Sequence, residues 1–96
     1  MKNLIEENYK SIVARGLITP TTKLNEFIDK LLEETMEFHD ASNKFLKSPT
    51  KKNNIQMDEE LADVILVCLN IAKHYKIDIE KELNNKVKKN FQRSLK

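Results

Sequence analysis

The stretch that decides the fold is residues 33–37, EETME, together with its counterpart at residues 59–63, EELAD. Each lies in a segment whose apolar residues recur every three or four positions, which predicts an amphipathic α-helix. Each offers two carboxylates three residues apart, and such residues share a helix face. The four carboxylates are those of Glu34, Glu37, Glu60 and Asp63. If the two helices lie side by side, the carboxylates converge, and hard divalent cations prefer such oxygen ligands.

The positions around these carboxylates are compatible with a metal site as well as with a solvated edge of each helix. By helical phase, Glu34 and Glu60 border the apolar stripe of their helix, and each partner lies one step further round. Lys30 can reach Glu34, but the other three carboxylates have no Lys or Arg three or four residues away. Because like charges placed in this way destabilise a helix, a bound cation is the expected compensation. Glu33 points nearly opposite to the apolar stripe.

The acidic pattern resembles the signature of the MazG-like all-α nucleoside triphosphate pyrophosphohydrolases. That signature is E-E-x-x-E followed by E-x-x-D, here separated by residues 38–59, and the flanking KLL at 30–32 agrees with it. The resemblance extends over about residues 24–93. It implies that the four carboxylates are catalytic and hold Mg²⁺, or Mn²⁺ in its place, as one or two ions. It also implies cleavage of a nucleoside triphosphate to the monophosphate and pyrophosphate, as in nucleotide-pool housekeeping.

Length and composition predict one soluble all-α domain, residues 1–96. The chain is 40% hydrophobic with one Gly and two Pro, and no alternating β-branched run is present. A formal charge of +2 is too small to indicate nucleic acid. Cys68 is the one cysteine and falls on an apolar stripe, so we expect a buried thiol and a reducing cytoplasm. We expect no signal peptide, no spanning segment and no membrane partner.

The chain pattern predicts a four-helix, bundle-like fold with antiparallel central helices. The predicted helices span about residues 2–15, 22–46, 55–75 and 79–94. Gly16 is the expected stop of the first helix, and the hydroxyls of residues 19–22 are expected to cap the second. The polar residues 48–54 are the clearest loop, and Asp78 is the expected N-cap of the last helix.

The third helix carries apolar residues on more than one side. Its main stripe is Met57, Leu61, Val64, Cys68, Ile71 and Tyr75. Leu66 and Leu69 lie away from that stripe, and a helix that is apolar nearly all round is buried on more than one side. In so small a protein, the second side is expected to meet another subunit. The resemblance agrees, because members of that superfamily are usually dimers or tetramers, so a homodimer or homotetramer is expected to complete the fold.

The last helix carries a basic face. Its polar members are Lys86, Lys89, Asn90 and Arg93. Lys offers phosphate a point charge and Arg offers a planar fork. Leu83, Val87 and Phe91 are expected to pack inward beside this face, while Lys88 points elsewhere. The pattern K-x-x-K-N-x-x-R also resembles the MazG-like tail, which implies that Lys86, Asn90 and Arg93, with Lys89 beside them, hold the phosphates and sugar of the nucleotide.

The sequence leaves the roles of three residues undecided and allows two alternative functions. Glu33 is expected at a second metal, at a water near the metal, or in solvent. His39 is interpreted as packing or capping, and His74 as structural rather than a substrate contact. Phosphoribosyl-ATP pyrophosphohydrolase, of the same superfamily, shares the acidic motifs, although the Lys-Asn-Arg tail argues against it. A catalytically silent helical interaction module is the alternative from another class. No readable spacing indicates the preferred base or sugar.

Overall fold

The computed structural model describes residues 1–95, which form four α-helices and no strand. The helices are α1 (Lys2–Ala14), α2 (Leu24–Lys47), α3 (Lys51–His74) and α4 (Ile79–Ser94). The predicted all-α fold is therefore confirmed. Lys96, the last residue of the predicted domain, lies outside the described residues. Within residues 1–95, no helix combines the length and the apolarity that crossing a membrane requires.

Helices α2 and α3 form an antiparallel hairpin, because only residues 48–50 connect them. Thr50 is the N-cap of α3 and its hydroxyl accepts a hydrogen bond from the backbone N–H of Asn53. The buried Asn53 side chain donates to the Ser48 carbonyl at 2.9 Å, which closes the turn. The predicted loop over 48–54 is thus wrong by four residues. The polar run 51–54 is the first turn of α3, since capping can begin a helix that composition alone does not indicate.

Helix α3 is the centre of the fold, with α1 and α2 both packed against it. The buried apolar side chains are Ile18, Phe27, Ala41, Val67, Leu69 and Ala72. His74 joins three elements: its Nδ1 lies 2.9 Å from the Tyr9 hydroxyl, and its Nε2 lies 3.2 Å from the Thr22 carbonyl oxygen. The Phe27 ring also packs on the imidazole, with centroids 4.8 Å apart. His74 therefore holds α1 and the α1–α2 connection on α3, the structural role favoured from the sequence.

Three side-chain predictions are wrong. Cys68 is exposed rather than buried. Leu69 is buried within the chain and Leu66 is half-buried, because α1 packs on that side of α3 and not on the side of Cys68. His39 does not pack or cap; its side chain is exposed beside Asp40. The period of a helix indicates which residues share a side, but not which neighbour covers that side.

The helix ends largely follow the predictions. Gly16 adopts a φ of 73°, and its N–H and that of Leu17 bond back to the last turn of α1, which stops that helix. Asp78 caps α4 by accepting from the Lys81 N–H at 3.2 Å. The α2 cap differs from the prediction: Lys23 is the N-cap, and the Glu26 carboxylate accepts from its backbone N–H.

Helix α4 stands apart from this packing and has no buried residue. Val87 and Phe91 are each 65% exposed, and Leu83 is exposed as well, so the expected inward packing is wrong within one chain. The beginning of α4 lies near α1, where the N-terminal nitrogen of Met1 is 3.7 Å from Glu80 Oε1. The radius of gyration is 16.0 Å. A compact chain of this length should give about 12 Å, so this molecule is extended.

Candidate active site

The first group of carboxylates joins the two central helices. Ligand oxygens of Glu34 on α2 and of Glu60 and Asp63 on α3 all lie within 4.8 Å of one another. Glu34 is only 8% exposed, Glu60 is half-buried and Asp63 is exposed. The short turn between α2 and α3 and their antiparallel packing bring Glu34 to the same height along the helix pair as Glu60 and Asp63. This group of carboxylates is therefore buried at Glu34 and open to solvent at Asp63.

The second group lies on α2 alone and shares Glu34 with the first. Oxygens of Glu33, Glu34 and Glu37 also fall within 4.8 Å of one another. By helical phase, Glu33 was predicted to point away from the site. Its side chain has three rotatable torsions, which allow the carboxylate to reach Glu34 and Glu37. All four predicted carboxylates and Glu33 are thus gathered in two overlapping groups.

The local charges perturb two titratable groups. Lys30 Nζ lies 3.1 Å from Glu34 Oε1 and 3.5 Å from Glu33 Oε1. The hydrogen bond to Glu34 is the main cause that raises the pKa of Lys30, and the two negative charges add to it. The pKa of Glu37 is also raised, first by a hydrogen bond with the Glu34 carboxyl and then by its charge. Lys30 therefore compensates only part of the negative charge of the two groups.

Two buried oxygens in this site lack partners. Glu34 Oε2 and Glu60 Oε2 are inaccessible, and neither has a hydrogen-bond partner within residues 1–95. A buried polar atom left unpaired costs about 1–3 kcal/mol, and more when it is charged. A cation between the helices would satisfy both oxygens. The donor set is oxygen only, which fits a hard divalent ion such as Mg²⁺ better than a soft metal.

A family comparison agrees with this geometry. The model described as the MazG nucleotide pyrophosphohydrolase domain matches residues 22–96. The chain belongs to this family. The match takes in α2, α3 and α4, so the MazG carboxylate motifs and the basic last helix both lie inside it. Searches among curated proteins and among solved structures found no match.

In this MazG protein the carboxylates open into a cleft of about 720 Å³. Its walls come from α1, α2, α3 and the α1–α2 connection, and Glu33, Glu34 and Asp63 are among the lining residues. The contribution of α1 was not predicted: Asn8 on α1 and Arg15, the residue that follows this helix, both line the cleft. One signal was present for Asn8, because it lies between apolar residues at i−3 and i+4, where a polar side chain is out of place.

The predicted phosphate-binding residues lie elsewhere. Lys86, Lys89, Asn90 and Arg93 are all exposed on α4. None of them lines the cleft of the same chain. This MazG structure therefore brings the acidic part of the predicted site together and leaves the basic part separate.

Proposed function

We propose that this protein is a Mg²⁺-dependent pyrophosphohydrolase that converts a (d)NTP to the monophosphate and pyrophosphate, in nucleotide-pool housekeeping. The observation that carries the proposal is the convergence of Glu34, Glu60 and Asp63 from two helices, with two buried oxygens unpartnered. Membership of the MazG family supports the class of reaction. A cytoplasmic location suits the single cysteine and remains a prediction.

The residues of the first group would hold the ion, and Glu33 and Glu37 would hold a second ion that shares Glu34. A bound divalent ion neutralises the charge that develops on the phosphates and lowers the pKa of a coordinated water. The chain itself supplies the geometry: the α2–α3 packing fixes the carboxylates, and the burial of Glu34 limits its freedom. Mn²⁺ would serve the same oxygen ligands.

The basic face of α4 is proposed to grip the phosphates and sugar through Lys86, Asn90 and Arg93, with Lys89 beside them. Because none of these residues lines the cleft of its own chain, we propose that α4 of one copy serves the cleft of another. Helix α4 has the apolar surface for such a contact, since Leu83, Val87 and Phe91 are exposed.

A homodimer or homotetramer is proposed for a second reason as well. Leu61 is 43% and Ile65 is 50% exposed on α3, and Ile28 and Leu32 are exposed on α2. At 100° per residue, these four side chains lie on the flank of the α2–α3 pair opposite the carboxylates. Exposed apolar side chains on one flank are typical of a protein contact, and a second copy that covered this flank would leave the cleft open.

The proposal is tested with a panel of (d)NTPs, modified NTPs and phosphoribosyl-ATP, with release of pyrophosphate as the readout. We expect turnover of at least one nucleoside triphosphate, loss of turnover in EDTA, and recovery with Mg²⁺. Turnover of phosphoribosyl-ATP alone would assign the chain to the other branch of the superfamily. Absence of turnover, together with no heat on titration of Mg²⁺ and nucleotide, would identify a silent interaction module.

A further inference from the structure

The cleft extends well beyond the carboxylates. On α2, Phe27 lies seven residues before Glu34, and on α3, Asn70 lies seven residues after Asp63. Seven residues are two turns, so each pair shares a helix face at a separation of roughly 10 Å. Because α2 and α3 are antiparallel, both steps run in the same direction. The far end of the cleft is thus separated from the carboxylates by about the length from the α-phosphate of a nucleotide to the edge of its base.

Two amides lie at this far end. Asn8 Nδ2 on α1 donates to Asn70 Oδ1 on α3 at 2.6 Å, and both residues line the cleft. Asn70 is only 7% exposed, and Asn8 is half-buried. An amide offers two hydrogens and one carbonyl oxygen. In the described part of the chain, neither the Asn70 NH₂ nor the Asn8 carbonyl oxygen has a partner, so the pair presents one donor beside one acceptor. Asn8 Nδ2 also lies 3.5 Å from the Leu66 carbonyl oxygen, which favours this orientation of the Asn8 amide.

Apolar side chains lie one helical turn from each amide. Ile12 follows Asn8 by four residues and Leu66 precedes Asn70 by four, and both line the cleft. The cleft also has polar lining residues, but its nearest cation on this side, Arg15, follows Asn8 by seven residues, roughly 10 Å along the chain direction of α1. A pocket with apolar walls and a few placed polar groups suits a flat, neutral heterocycle better than a phosphate, which needs cations or several N–H donors. Nucleobases carry an N–H beside a ring nitrogen or a carbonyl oxygen, and this edge is complementary to the free donor and acceptor of the amide pair.

From this arrangement we infer that the far end of the cleft is the nucleobase subsite, and that Asn8 and Asn70 bind the hydrogen-bonding edge of the base. The inference rests on the proposed function and adds to it the element that selects the substrate. Residue Asn8 belongs to α1, which precedes the segment matched by the family model. Selection of the base would therefore depend on a helix outside the matched part.

The test compares substrates with and without a base. kcat/KM is measured for the preferred NTP and for ribose 5′-triphosphate, in wild type, Asn8→Ala and Asn3→Ala. Asn3 is an exposed asparagine on the same helix that does not line the cleft. We expect Asn8→Ala to raise KM for the NTP about three- to tenfold, the worth of one neutral hydrogen bond, and to narrow the preference among bases. Turnover of ribose 5′-triphosphate should stay unchanged, and Asn3→Ala should match wild type with both substrates.

Asn8→Asp provides a second variant, because it keeps the size and the acceptor but removes the NH₂ group that joins Asn8 to Asn70. It should change the order of preference among the four bases. Equal losses with the NTP and with ribose 5′-triphosphate would overturn the inference, since Asn8 would then only position α1. Wild-type kinetics in both Asn8 variants would overturn it too. In either case the proposed function would stand, whereas wild type that hydrolyses neither compound would refute both.

Discussion

The α2–α3 pair and helix α4 make an instructive comparison. Both were predicted to carry part of one site, each from residues at helical spacing. In the α2–α3 pair, Glu34, Glu60 and Asp63 meet within 4.8 Å. In α4, the basic residues share a face as expected, yet the helix has no buried residue and does not line the cleft. Spacing determines which side chains share a face of a helix, whereas the connections and the partners of the helix determine where that face lies.

The largest effect is expected from the α2–α3 pair. Glu60→Gln or Asp63→Asn removes a charged ligand of the proposed ion, which supplies several kcal/mol of charge stabilisation, so kcat/KM should fall by about a hundredfold or more. Glu59→Gln is the matched control, since Glu59 is an exposed neighbour outside both carboxylate groups. Pyrophosphate release measures the effect, and circular dichroism checks that the helices remain. Full activity in Asp63→Asn would exclude this metal site.

An intermediate effect is expected from α4. Arg93→Lys or Lys86→Ala should lower apparent substrate affinity about ten- to hundredfold, because each removes a charged hydrogen bond to phosphate worth roughly 1.5–3 kcal/mol. Lys88→Ala, on another face of α4, should change little. If Lys86→Ala and Lys88→Ala weaken binding equally, the helix carries only a diffuse positive surface and no site.

The comparison is sharpened by mixing two impaired variants and measuring activity at a substrate concentration below the KM of the wild type. Chains with Glu60→Gln retain an intact α4, and chains with Arg93→Ala retain an intact carboxylate group. If α4 of one copy serves the cleft of another, the mixed assembly contains complete sites, and activity should return after mixing. If activity does not return although mass measurements confirm that subunits have exchanged, the basic residues of α4 serve the cleft of their own chain.

A smaller effect, a two- to fourfold change in the mass of the assembly, is expected from the apolar flank. Wild type should elute at two or four times 11.3 kDa. Leu61→Lys places a charge on that flank and should shift the protein toward monomer, because a buried unpaired charge is costly. Leu4→Lys, at an exposed position on α1, is the control. Light scattering measures the outcome, and a wild-type monomer that hydrolyses nucleotide would contradict the proposed assembly.

The smallest effect concerns pH. The pKa of Glu37 lies above its ordinary value of 4.5 in the folded protein, so folding favours its protonated form. The favourable contribution of Glu37 to the free energy of unfolding is complete below pH 4.5. It is lost as the pH rises through the pKa that Glu37 has in the folded protein. Without metal, Glu37→Gln should therefore melt like wild type at low pH and at a higher temperature than wild type near neutrality. Thermal denaturation in EDTA, from low pH to neutrality, measures the two melting temperatures. A difference in melting temperature between Glu37→Gln and wild type that does not change with pH would contradict the prediction.

The sequence predicted the helices and the acidic group for identifiable reasons. Apolar periodicity located all four helices, and Asp78 and Gly16 marked two ends, because caps are local chemistry. The carboxylates could be paired because their spacing and the short α2–α3 turn are both local. The burial of Leu69 and the exposure of Cys68 depend on the side of α3 that α1 covers. That choice is made by contacts distant in sequence, and so is the contribution of Asn8.

The pairing of Lys30 with Glu34 has a consequence for metal uptake. The ammonium already engages Oε1 of the carboxylate that both acidic groups share, so it acts as an internal counter-ion. Because Glu34 Oε2 has no partner within residues 1–95, a divalent ion can bind this oxygen while Lys30 keeps Oε1, and the two cations then share one carboxylate. The apparent metal affinity reflects the attraction of the carboxylates less the repulsion between the ion and the ammonium. Lys30 also lines the cleft, so the same ammonium that weakens metal binding attracts the polyphosphate of a substrate.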